Sequence, residues 1–95
     1  MTFQRGEVDI GDYFRPISEL TREQAIQRLA GWEQEGWPTG APREAAHALY
    51  AAVRRGDRPG ASGAAFRLTA LAVKNLTQED RDEIASVTVH FELYA

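Results

Sequence analysis

Two histidines, His47 and His90, are the side chains of this 95-residue chain best suited to proton transfer or metal binding near neutral pH. They do not make a set. No second ligand stands at metal spacing from either, and there is no cysteine to supply thiolate. Nucleophilic chemistry needs a nucleophile, a base and an orienting group. Of the serines, Ser18, Ser62 and Ser86, none sits in a nucleophile elbow, and Ser62 in Gly-Ala-Ser-Gly reads as a helix cap. Carboxylates crowd residues 79–83, but a run of acids in a first helical turn is ordinarily a solvated face. With no metal set, phosphate loop or triad, the expectation is a protein that is not an enzyme and carries no cofactor and no metal.

Binding chemistry is better represented. Trp32 and Trp37 flank Glu33-Gln34-Glu35-Gly36. They read either as core-edge packing or as an aromatic pair ringed by acids, the composition of a protein-binding hot spot. Arg54, Arg55 and Arg58 cluster at one helix end, and Arg43 begins the same helix. Favourable charge at a helix C-terminus explains Arg54 and Arg55 without a ligand. The alternative is phosphate contact by the basic segment 43–74. Arg55-Gly56-Asp57 and Asn75-Leu76-Thr77 match an adhesion tripeptide and a glycosylation sequon, but turn and capping chemistry account for both.

Charge is unevenly distributed. The net −3 divides into −3 over residues 1–35, +4 over 43–74 and −4 over 77–92. Basic middle and acidic ends either neutralise each other in the fold or form separate patches. Ten of the eleven basic residues are Arg, and alanines abound, which fits coding bias in a GC-rich, bacterial-type genome better than selection for phosphate.

These residues need a scaffold. Thr21 and Gln24 form a capping box, and Ile26, Leu29 and Ala30, with Ala25 alongside, mark the buried stripe of a helix running to about Glu35, with Gly36 as its stop. Gly31 weakens its middle by roughly 1 kcal/mol relative to Ala and is compatible with close packing against another backbone. A second helix is predicted over 41–55, with Pro42 near its start and Ala46, Leu49, Tyr50 and Val53 at i, i+3, i+4 and i+7. Gly56 ends it. Residues 56–63, with three glycines and a proline, read as a loop. A third helix over 62–75 is apolar nearly all round, so it should be central and covered on several sides. Thr77 opens a short fourth helix ending near Ser86.

Residues 87–95, Val-Thr-Val-His-Phe-Glu-Leu-Tyr-Ala, alternate apolar and polar side chains. That period predicts a strand with Val87, Val89, Phe91 and Leu93 on its dry face. Ile84, Val87, Phe91 and Tyr94 also fit helical spacing, and a helix there would make the fold an all-α bundle. A strand needs a partner. The candidates are a short extended piece around Val8 to Ile10, a twin in a homodimer, or another protein.

The expected fold is therefore α+β and mostly helical, a single domain over residues 1–95. No apolar leader opens the chain and no stretch is apolar enough for a membrane span, so a cytoplasmic protein is expected. The expected function is a small regulatory binding module of inhibitor, immunity, antitoxin or adaptor type, with another protein as partner. Its expected surface comprises Trp32, Trp37, Glu79, Asp80, Glu83, His90 and Glu92. The alternative is a nucleic-acid-binding regulator using Arg43, Arg54, Arg55 and Arg58.

Overall fold

The computed structural model describes residues 20–92. They form four helices: α1 (Arg22–Glu35), α2 (Ala41–Arg54), α3 (Arg58–Asn75) and α4 (Gln78–Thr88). Each packs against two others in a ring. The α2–α3 contact is the largest, followed by α3–α4, and α1 closes the ring against α2 and α4. Leu29, Leu49, Leu68, Ile84 and Val87 fill the centre with almost no exposure. Alanines from α1, α2 and α3, among them Ala25, Ala45, Ala52, Ala61 and Ala65, complete one continuous core. Short side chains let helices approach closely.

The helix ends follow from local chemistry. Thr21 and Gln24 form the expected reciprocal capping box at α1. Gly36, at φ 71°, ends α1 in the left-handed region that glycine adopts without strain. The Gly36 N–H reaches the Glu33 carbonyl and the Trp37 N–H reaches that of Trp32, a Schellman pair. Gly56 ends α2 in the same way, with Asp57 N–H on the Ala52 carbonyl.

The start of α3 differs from the sequence expectation. Asp57, already closing α2, also caps α3 by accepting from the Gly60 N–H at 3.0 Å. Pro59 lies in the first turn, where no intrahelical N–H is needed. Residues 58–61 are therefore helix rather than loop. Ser62 is not a cap: its buried Oγ donates to the Glu92 carbonyl at 2.5 Å.

The expected strand is also replaced. Val87 and Thr88 continue α4, and residues 89–92 form turns. Their backbone groups bond locally, His90 N–H to the Val87 carbonyl and Phe91 N–H to that of Thr88. Arg22 Nη1 reaches the His90 carbonyl at 2.9 Å. Partners that a sheet would supply come from a helix end instead. Helical spacing turns Ile84, Val87 and Phe91 inward, and all three are buried. Thr88, expected on the wet face, has no exposure. The described residues make an all-α bundle, and the strand edge expected to pair with Val8–Ile10 or with a twin is absent over 87–92. Val8, Ile10 and residues 93–95 lie outside the described residues.

Two smaller expectations change. A Cβ on Gly31 would meet nothing within 4 Å, so this glycine serves no close backbone approach. The third helix, expected to be central and covered on several sides, packs against two neighbours as every helix in the ring does, and one side of it is open to solvent.

Candidate functional site

The residues expected to bind a protein are largely occupied within the fold. Trp32 is 5% exposed and packs edge-on against half-buried Trp37, with ring centroids 5.2 Å apart. Its indole N–H points to Glu83 Oε2 at 3.3 Å. Glu83 also takes Arg28 Nη1 at 2.8 and 2.7 Å, which ties α1 to α4. Glu92 folds back onto α3, where Thr69 Oγ1 lies within hydrogen-bond distance of both Glu92 Oε2 (2.9 Å) and Thr88 Oγ1 (3.2 Å). His90 sits half-buried in the final turn, its ring edge-on to Phe91. Glu79 and Asp80 stand in the first turn of α4, where the helix dipole favours acids.

The basic residues are similarly employed. Arg43 clamps the α1–α2 turn: Nη1 donates to the carbonyls of Trp37 (2.9 Å) and Trp32 (3.3 Å), and Nη2 pairs with Glu33. The other Glu33 oxygen lies 2.7 Å from His47 Nδ1. This His–Glu contact has no serine, threonine or third metal ligand joined to it by any hydrogen bond among the described residues. No group of three His, Asp or Glu there is arranged to hold a metal ion. Arg54 lies over the Tyr50 ring and donates to its hydroxyl at 3.0 Å. Arg55 pairs with Asp57 at 3.1 Å. The Asp57 carboxyl is held below its ordinary value chiefly by the Gly60 N–H, aided by Arg55 and opposed by partial burial. Arg58 is exposed in the first turn of α3.

The open side of α3 carries the surface that these networks leave over. Phe66 is 54% exposed and Val73 58%, and they are the large apolar side chains most exposed among the described residues. Exposed Ala70 lies between them, so the three occupy i, i+4 and i+7 on one stripe. Exposed Arg67 and Lys74, also seven apart, run along one flank. Neither makes an ion pair among the described residues.

On the other flank, α3 and α4 enclose a groove of about 220 Å³. Ala72, Ile84 and Ala85 contribute its apolar part, and Thr69, Gln78, Arg81 and Asp82 its polar part. Arg81 Nη2 donates to Gln78 Oε1 at 2.8 Å, while its Nε is buried without a hydrogen-bond partner.

Sequence reasoning missed this surface. Its signal was present in the third helix, where Phe66, Ala70 and Val73 fall on one face and Arg67 and Lys74 beside it. The uniform apolarity of the helix hid it. Arg81 carried no such signal, since only the α3–α4 packing buries its Nε.

No helix among the described residues is long and apolar enough to cross a membrane. No family model matches the chain, and neither curated proteins nor solved structures gave a match.

Proposed function

We propose that this protein is a non-enzymatic binding module of the cytoplasm, of inhibitor, immunity, antitoxin or adaptor type, and that it engages another protein through the outer face of α3. The observation that carries this reading is the solvent-exposed stripe of Phe66, Ala70 and Val73. A lone exposed apolar residue needs no explanation, but a contiguous row rimmed by charge is the composition of an interaction surface. The reading is supported further by Arg43, which is held between the α1–α2 turn and Glu33, and by the pairing of exposed Arg55 with Asp57, which leaves less free cation for a phosphate backbone.

Affinity capture from source lysate, with and without nuclease, tests the proposal when wild type is compared with the Phe66→Asp/Val73→Asp double variant. The expected result is one stoichiometric protein, retained after nuclease treatment and lost by the variant. Both substituted sites are exposed, so the thermal midpoint should hold. Capture of nucleic acid, or of proteins released by nuclease, would overturn the reading in favour of a nucleic-acid-binding regulator. Equal capture by the variant would remove α3 from the interface.

A further inference from the structure

We infer that the outer face of α3 receives an acidic amphipathic helix from the partner protein; this rests on the protein-binding reading above and specifies the partner's chemistry. Three observations converge on it. The stripe has helical spacing, and a helix laid along it would seat apolar side chains around Ala70 between Phe66 and Val73. No strand edge exists among the described residues for an extended peptide to join.

Charge decides the sign of the partner. Arg67 and Lys74 line one flank without a carboxylate within ion-pair distance among the described residues. On the other flank, Arg81 has a buried Nε–H with no acceptor. Such an orphan is uncommon, because desolvating a guanidinium N–H without a partner carries a free-energy penalty. The Arg81 side chain also lines the α3–α4 groove beside Val73, next to Asp82, and its planar guanidinium favours a carboxylate as ligand. Glutamates along one side of an apolar helical stripe would thus meet Arg67 and Lys74, and the Arg81 guanidinium beside Asp82 lies on the other side.

The same arrangement disfavours two other occupants. In an antiparallel pair of two copies, the two-fold axis sets the Arg67–Lys74 flank against its own equivalent, so like charges meet. A nucleic acid would place its phosphates over Phe66 and Val73 at the centre, and those side chains offer it no donor.

The test uses the full-length, isotope-labelled protein and three synthetic helical peptides. Each carries leucines one helical turn apart, flanked by Glu, by Gln or by Lys. The expected result is saturable shifts of the Phe66–Lys74 amides and of the Arg81 Nε–H signal with the Glu peptide. Binding should weaken with salt, fall about tenfold or more with the Gln peptide, and vanish with the Lys peptide. Arg67→Glu/Lys74→Glu should keep its melting point and reverse the preference toward the Lys peptide. Equal binding of Glu and Gln peptides overturns the acidic partner, as does binding of none of them. In either case, loss of capture by the Phe66/Val73 variant would still uphold the protein-binding reading. Concentration-dependent dimerisation abolished by Phe66→Asp would identify a second copy as the occupant and overturn the proposal. Displacement of the Glu peptide by a short single-stranded oligonucleotide at the same amides would overturn it in favour of nucleic acid.

Discussion

Gly31 stands in the interior of α1 with open space where a Cβ would go. Glycine there confers no packing advantage and leaves the unfolded chain more freedom to lose. Gly31→Ala should therefore stabilise the protein by about 0.5–1 kcal/mol, read as a shift of the urea midpoint at unchanged slope. No gain would mean that α1 bends or packs there in a way its free Cβ position conceals. Asp57 is the residue with a defined pH signature. Its folded carboxyl lies below the ordinary value of 3.8, so its charged form contributes stability that is fully present above that pH. As pH falls below 3.8 and through the lower folded value, that contribution disappears. Asp57→Asn keeps a capping oxygen but not the charge. The melting-temperature gap between wild type and this variant should be constant at neutral pH and close as pH drops below that value. A gap that is independent of pH would assign the effect to cap geometry alone.

At the scale of elements, one carboxylate joins two helices that are far apart in sequence. Glu83 on α4 accepts from Arg28 and from the indole of buried Trp32, both on α1. Glu83→Ala would strand a buried N–H as well as lose a half-exposed ion pair, and the stranded donor is the larger loss. A destabilisation of about 1–3 kcal/mol is expected, with Glu83→Gln, which can still accept from Trp32, costing less. Equal losses from both variants would shift the weight to the ion pair. The α2–α3 junction shows how few residues can end one helix and begin the next. Gly56 stops α2, and Asp57 serves both ends. A Cβ on Gly60 would collide with the capping Asp57 carboxylate, so glycine inside this first turn is what leaves room for the cap.

Across the whole molecule, the core is closed by the segment after α4. Phe91 is 3% exposed, beneath the Arg22 guanidinium at 4.8 Å from its ring centre. Phe91→Glu would place a charge among apolar side chains and should abolish cooperative unfolding or cost several kcal/mol; Phe91→Ala should cost about 3–5 kcal/mol. A melt unchanged by either would detach residues 89–92 from the core. Closure at this end leaves the outer face of α3 bare, with Phe66 and Val73 exposed on it.

Much of this architecture was legible in local sequence. The capping box at Thr21, the glycine stops at Gly36 and Gly56, the amphipathic stripe of α2 and the Thr77 cap act through neighbours within one turn, so sequence spacing is enough to reveal them. Thr77 indeed accepts from the Asp80 N–H at 3.2 Å. The loop expected at 56–63 failed because glycine and proline mark turns on average, while this proline and this glycine stand in a first helical turn, where they are tolerated. Over residues 87–92 the expected strand failed for a different reason. Val87 and Phe91 satisfy both the two-residue and the helical period, and whether they turn inward on a sheet or on a helix depends on α1 and α3. Arg22 and Ser62 supply the hydrogen bonds that hold the segment in turns. Local spacing thus determined most of the helical residues and where most helices stop, but not the start of α3 or the end of α4. Only the packing of the helices decided which apolar side of α3 is buried, which stays exposed, and which arginine nitrogen is left without a partner.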